Sequence, residues 1–221
     1  QQRAIARAQA LAYDAQLRML HYQINPHFLF NTLNAISTLV LEKRNDAAER
    51  MLLGLAGFLR YSLDRQPTEM SALTAELEAQ RKYLEIEQTR FDEKLKVAFN
   101  IEPGLETAKV PSLILQPILE NAIKYAITPR VEGGRIDVSA KRDEDTLRIT
   151  VEDDGPGLPP EDQPRRRRGV GLANARERLE LIYGERAGLT ARNREPTGCR
   201  VELWLPLEEE RVGRTPSPAL S

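Results

Sequence analysis

The hydrophobic period of this chain changes once, and that change bounds the folds open to it. Up to about residue 90 the apolar residues recur every three or four positions, the helical rhythm; from about residue 95 they alternate, the strand rhythm. In the first stretch, Ala6, Ala10, Tyr13, Leu17, Leu20 and Ile24 step like the a and d positions of a coiled coil over about three heptads. A dimer seam and a single amphipathic helix both satisfy that pattern. Pro26 interrupts it, because proline lacks a backbone donor and disfavours helical geometry at Asn25. A helical hairpin is expected over 28–63. Phe28, Leu29, Leu33, Ile36 and Val40 lie on or near one face, KRND (43–46) makes the turn, and Leu52, Leu55, Phe58 and Leu59 line the return. Pro67 closes the hairpin, and a charged third helix runs from about Ala72 to Arg90 with Leu73, Leu77, Leu84 and Phe91 as its buried stripe.

The second stretch carries strands at 95–102, 135–142, 146–153, 188–193 and 199–206. Helices fall between them at 112–127 and 171–184, the latter ending on Gly184 as a C-cap. The predicted organisation is a helical module over 1–90, an α/β module over 91–207 and a polar, Pro/Ser-marked disordered tail over 208–221. The fold class is α+β.

Composition removes whole classes of function. Thirty-two Lys and Arg against 33 Asp and Glu leave a net charge of −1, without the positive field that nucleic-acid or anionic-membrane binding needs. One cysteine, Cys199, cannot form an intramolecular disulfide or a Cys-pair zinc site, and two histidines, His21 and His27, do not make a histidine-rich one. No apolar run approaches the ~18 residues of a membrane span. No signal peptide opens the chain. Its first residue is not Met, so the expectation is the C-terminal part of a longer, cytoplasmic protein, with any membrane anchor in an upstream sensor region.

Three stretches of the α/β module carry chemistry together. Glu120-Asn121-Ala122-Ile123-Lys124 offers an amide oxygen, a neutral hard ligand suited to Mg²⁺, and an ammonium three residues on. An Asn and a Lys on a helix are, taken alone, ordinary solvated residues. Asp153-Asp154-Gly155-Pro156-Gly157 ends a strand; a carboxylate followed by glycines lets backbone approach a flat ligand while the acid accepts from an exocyclic amine. A plain Asp-Gly turn is the simpler reading of that stretch. Gly169-Val170-Gly171-Leu172-Ala173-Asn174 runs glycines into a helix, where free N–H groups cradle anions. It lacks the third glycine of a dinucleotide fingerprint and the GK[ST] of a P-loop.

In this order the three stretches resemble the GHKL superfamily of ATP-binding domains. Asn121 matches its N box, Asp154-Gly155-Pro156-Gly157 its G1 box, Gly169 to Asn174 its G2 box, and Gly198 its terminal glycine. The resemblance implies a Bergerat α/β sandwich that binds ATP. In it Asn121 holds Mg²⁺, Lys124 meets phosphate, Tyr125 lies near the adenine, and Asp154 reads the adenine amine. Gly155, Gly157, Gly169, Gly171, Leu172 and Asn174 shape the rest of the nucleotide site, and 158–168 is the ATP lid. Arg165 to Arg168 in that segment read equally as a solvated loop and as a clamp on triphosphate.

The most specific stretch is QINPHFLFNTLN (23–34). A neutral imidazole at pH 7 can attack phosphorus without a strong base, and a helix N-terminus favours an added phosphate. This stretch is similar to the H box of the LytS-type sensor histidine kinases, as are the runs from Leu77 to Phe91 and from Leu115 to Lys124. The resemblance spans roughly residues 20 to 207. It implies a helical dimerisation and phosphoacceptor hairpin ahead of the ATP-binding domain, with His27 the phosphorylated residue, ATP and Mg²⁺ the cofactors, a homodimer, and a response regulator receiver domain as partner. Phe28 stands where commoner histidine kinases place an acid, Tyr125 where the family often has His, and Pro117 where water-activating relatives place Glu. A clamp-type GHKL ATPase and a nucleotide-binding scaffold that never phosphorylates itself remain as alternatives.

Overall fold

In the computed structural model the described residues are 25–66, 69–91, 94–158 and 170–208. The proposed seam of 1–24, His21, Pro67, the segment 159–168, Gly169 and the tail beyond Glu208 lie outside them. Two compact units emerge, one drawn from the spans Gln1–Pro67 and Glu78–Leu95, the other from Thr68–Leu77 and Lys96–Ser221.

The first unit is helical. Helix α1 (Pro26–Leu41) and helix α2 (Asn45–Asp64) form the hairpin, with a turn in which Lys43 takes φ 61°. Proline at the first helical position is suited to a helix start, and the Asn25 side chain accepts from the backbone N–H groups of His27 (3.1 Å) and Phe28 (3.4 Å). Helix α3 (Leu73–Arg90) gives its first residues to the second unit and the remainder to the first. In the first unit Phe28, Phe58 and Tyr83 interlock with ring centroids 4.9–5.7 Å apart, one from each helix. Such aromatic contacts add about 0.5–1.5 kcal/mol each beyond their burial. Gly54 lets Ile86 approach, its missing Cβ lying 3.5 Å from that side chain.

The expected apolar faces of the hairpin are only partly covered within the single chain. Leu33, Val40 and Leu52 are 46–53% exposed, whereas Thr32, Leu39, Ala48 and Met51 are buried beside Phe28, Leu55 and Phe58. Phe30, Leu41 and Leu53 are exposed as well. The hairpin is therefore apolar on more than the face its own unit covers.

The second unit is a sheet with helices on one face. Strands β2 (Leu95–Ile101), β4 (Gly134–Asp143), β5 (Thr146–Asp153), β6 (Gly188–Asn193) and β7 (Cys199–Pro206) lie in the order β2-β4-β5-β7-β6. β4, β5, β7 and β6 pair antiparallel. The period-2 pattern decides the inward face: Ile136, Val138 and Ala140, then Leu147, Ile149 and Val151, then Val201, Leu203 and Leu205 are all buried. Against them pack helix α4 (Gln116–Ala122), its wider continuation Ile123–Ile127, and helix α5 (Val170–Tyr183). Ion pairs such as Arg148 with Glu202, at 2.7 Å, occupy alternating positions on the other face.

Two short strands, β1 (Met70–Ala72) and β3 (Lys109–Pro111), pair antiparallel in a separate ribbon that the hydrophobic pattern did not signal. The helix expected from residue 112 begins at Gln116, after a turn in which Leu113 takes φ 61°. Gly184, at φ 60°, follows the last residue of α5 as the expected C-cap.

Candidate nucleotide-binding site

A cleft opens between α4 and the ends of β5 and β7, with about 480 Å³ of space that includes open solvent at its mouth. One wall is α4 and its continuation, with Ile118, Asn121, Ala122, Tyr125 and Ala126. The other is Val151, Asp153, Cys199 and Val201, with Pro156, Gly157 and Leu158 at one rim and Leu172 at another. Most of the surface is apolar, and Asn121, Tyr125, Asp153 and Cys199 supply the polarity.

Helix α4 gives way to a π turn directly after Ala122, one residue beyond Asn121. The Thr128 N–H and Oγ1 both donate to the Ile123 carbonyl, at 2.8 and 3.0 Å, and so close an i to i−5 ring. Asn121 and Tyr125, four positions apart, both line the cleft wall, while Ile123 and Ile127 are buried in the core. The Asn121 amide nitrogen is buried and has no hydrogen-bond partner. An unpaired buried amide is costly in a finished core, and a ligand group that meets it would remove that cost. Amide nitrogen and oxygen exchange places by rotation, so the same group can present an oxygen to a cation.

The carboxylate in the cleft is Asp153, and here the sequence reading is corrected. Asp154 was expected at the adenine; its side chain instead accepts from Arg130 Nη1 at 2.8 Å and from the Arg135 N–H at 2.9 Å, away from the cleft lining. The reason lies in the strand register. Leu147, Ile149, Val151 and Asp153 are the buried, inward positions of β5, and one more step turns Asp154 outward. Asp153 is 8% exposed, and its Oδ1 accepts from the Gly155 N–H at 3.0 Å and the Cys199 N–H at 3.2 Å. The alternation in TLRITVED was the signal that could have chosen between the two acids.

Arg130, which sequence reasoning passed over, also donates to the Asp154 carbonyl at 2.9 Å. Its guanidinium is held above its ordinary value, first by the hydrogen bond to Glu132 and then by Asp154, with burial opposing. These bonds tie the loop after β5 to the start of β4.

The glycines act by what they lack. A Cβ on Gly155 would lie 2.4 Å from that of Ala126, so the loop touches the π turn directly. Gly157 takes φ 81°, and the Asn193 amide oxygen, which accepts the Leu158 N–H, fills the place of its side chain. Gly171 lies against Pro117. Gly169 is outside the described residues. Lys124 and Asn174 are exposed and off the cleft lining, with Lys124 Nζ 5.1 Å from the Tyr125 ring centre.

In the helical unit His27 is exposed at the N-terminus of α1, one residue before the buried Phe28 that fixes the helix rotation. The Asn31 amide nitrogen lies 3.1 and 3.3 Å from the two ring nitrogens, one helical turn on. That neighbour was readable from the i, i+4 spacing.

Comparison with known proteins fits this division. The family described as "Histidine kinase" matches residues 15–95, and "Histidine kinase-, DNA gyrase B-, and HSP90-like ATPase" matches residues 108–209. Sensor protein LytS of Enterococcus faecalis is 32% identical over 211 residues, covering 91% of this chain and 36% of that protein. The two parts of this chain match these two families in turn, and the chain resembles the LytS-type sensor histidine kinases. Sensor histidine kinase YesM of Bacillus subtilis is 35% identical over 205 residues, covering 92% of this chain and 35% of that protein. The chain spans about a third of the length of these relatives. Among solved structures, the histidine kinase AdeS of Acinetobacter baumannii superposes with a TM-score of 0.50 at 13% identity, covering 90% of this chain and 98% of AdeS. The catalytic domain of histidine kinase ThkA does so at 0.50 and 18%, covering 64% and 98%. At such identities the likeness is one of fold. Among the described residues no helix is long and apolar enough to cross a membrane.

Two glycines separate backbone strain from the cleft. Gly198, at φ 111°, would place a Cβ 2.0 Å from the Asp153 carbonyl, whereas Gly104, at φ 91°, faces open space. In urea titrations Gly104→Ala is expected to cost about 1–2 kcal/mol, the backbone term alone. Gly198→Ala is expected to cost at least about 3 kcal/mol, because the Asp153 backbone must also move.

Proposed function

We propose that this chain is the catalytic core of a dimeric sensor histidine kinase, which transfers the γ-phosphoryl group of ATP to His27. From His27 the group passes to an aspartate on the receiver domain of a response regulator. The observation that carries the reading is the cleft itself, where the buried Asp153 carboxylate and the unpartnered Asn121 amide face one apolar space. Adenine suits that space: its ring is flat and apolar, and its amine can donate to Asp153 while Tyr125 lies along the wall.

Asn121 fits a Mg²⁺ ion, since a neutral oxygen beside nucleotide phosphates and waters is that ion's usual setting. Among the described residues no group of three or more His, Cys, Asp or Glu gathers as an alternative metal site. When bound, the cation neutralises charge on the phosphates. The chain's own residues do the remaining work. Asp153 selects and orients the base, the glycines of the loop after β5 admit it closely, and Leu172 closes the cleft from α5. At His27 a neutral ring nitrogen forms the N–P bond as the P–O bond to ADP breaks. Asn31 holds the ring, and the positive end of the α1 helix dipole favours the added charge. Phosphoryl transfer depends chiefly on positioning and charge neutralisation, which suits an acceptor followed by Phe28 in place of an acid.

Homodimerisation accounts for the hairpin's uncovered apolar surface. A four-helix arrangement of two hairpins buries Leu41 and Leu53, 81% and 65% exposed in the single chain. The sensor input belongs to the part of such proteins that this chain does not span.

Incubation with γ-labelled ATP tests the reaction. Acid-labile, base-stable label is expected on the parent chain and absent from His27→Gln, with ADP affinity unchanged. Phosphate release without label would favour the ATPase clamp, and nucleotide binding with neither would favour the scaffold. Calorimetry tests the base reader. Asp153→Asn is expected to weaken ADP binding about 10- to 100-fold, the loss of one charge-assisted hydrogen bond. Asp154→Asn should stay within about threefold; the reverse order would restore Asp154 to the adenine. Sedimentation equilibrium tests assembly. A dimer is expected for the parent, weakened when Val40, Leu41, Leu52 and Leu53 become Ser, since each buried Leu contributes about 1.5–3 kcal/mol.

A further inference from the structure

The nucleotide unit contains a fully buried carboxylate with no part in the chemistry above. Glu76, on the first turns of α3, is 0% exposed. Its two oxygens accept backbone N–H groups from a segment 37 and 39 residues downstream. Oε2 takes the Leu113 N–H at 2.8 Å, and Oε1 takes the Leu115 N–H at 3.0 Å. Those residues form the turn that opens α4. Leu115 is the N-cap residue, and a leucine side chain cannot accept the donors that every helix start leaves without partners. Leu113 holds φ 61°, a left-handed geometry that a leucine keeps only when its surroundings enforce it. A buried charge is tolerable when its oxygens are hydrogen-bonded, and both of these are.

Ile118, Leu119 and Ala122 press the helix onto the sheet and fix which face it turns inward. Two directional hydrogen bonds at the helix start add a fixed point along its axis, which non-directional apolar contact does not specify in the same way. Asn121 stands six residues beyond Leu115, about 9 Å along the axis, so a shift at the start carries to its amide. We propose that Glu76 is a positioning residue of the nucleotide cleft, which sets the height of α4 and so holds the Asn121 amide where a phosphate-bound divalent cation meets it. This rests on the reading of the cleft given under Proposed function.

The test uses the full chain as wild type, Glu76→Gln, Glu76→Asp and Glu78→Gln, an exposed carboxylate on the same helix serving as control. Two quantities are read: the affinity for ADP in EDTA, and the Mg²⁺ concentration that half-maximally tightens binding of a non-hydrolysable ATP analogue. Gln keeps one acceptor oxygen and turns an NH₂ against a backbone donor. It should raise the half-maximal Mg²⁺ concentration roughly tenfold, the usual scale for removing support from a metal ligand. ADP affinity in EDTA should stay within about twofold of wild type, Glu76→Asp should fall between, and Glu78→Gln should match wild type. A wild-type Mg²⁺ response in both Glu76 variants overturns the proposal, and so does an equal loss in the two quantities, which marks general damage. Should Glu76→Gln fail to fold, Glu76→Asp decides on the same readouts. Label on His27 is scored in parallel on the wild type, so failure of the kinase reading is seen separately.

Discussion

The nucleotide unit is organised around one carboxylate. Asp153 ends the inward face of β5, and its Oδ1 gathers the Gly155 and Cys199 N–H groups, joining the loop after β5 to the start of β7. The neighbouring glycines are required by that junction. Gly198 passes so near the Asp153 carbonyl that no Cβ fits, and Gly155 rests on Ala126 of the π turn. Strand, loop and helix are thereby held at contact distance, and the cleft is what remains between them. Arg130 and Asp154 brace the same loop from outside. The acid adjacent in sequence is thus a support, while the acid one step earlier faces the ligand space.

In both units a buried neighbour sets the direction of the residue with chemical potential. Phe28 locks against Phe58 and Tyr83, which leaves His27 exposed at the helix start with Asn31 one turn on. Ala122 and Ile123 sit in the core, which leaves Asn121 on the cleft wall with its nitrogen unpaired. Helix α3 takes part in both arrangements, through Glu76 in the nucleotide unit and through Tyr83 in the helical one.

Most of the fold is legible in the sequence because its signals are periodic. Alternation in β4, β5 and β7, the turn around Lys43, the stop at Gly184 and the helix start at Pro26 all stand where residue chemistry puts them. What escapes is set by tertiary neighbours. β1 and β3 are three residues each, too short to show a period, and they exist through mutual pairing. The start of α4 is moved to Gln116 by a left-handed Leu113 that a distant carboxylate holds, which no local propensity encodes. Leu33, Val40 and Leu52 stand out as apolar at helical spacing, yet within the single chain it is Thr32, Leu39 and Met51 that are buried. In the site, Asn121, Tyr125, Gly157 and Leu172 do share one cleft, while Lys124 and Asn174 lie off its lining. The family resemblance points to Asp154, whereas the strand period carried to the end of β5 turns Asp153 toward the cleft.

The central claim is that Asp153 and Asn121 face a space shaped for an adenine nucleotide. Amide NMR of the isotope-labelled chain during titration with ADP, then with GDP, tests it most directly. The account predicts that ADP with Mg²⁺ shifts the Asn121 side-chain amide and the Cys199 and Gly155 backbone amides together, while GDP, without an amine at that ring position, leaves them in place. Shifts of equal size with both nucleotides, or ADP binding that leaves these three signals unmoved, would contradict it.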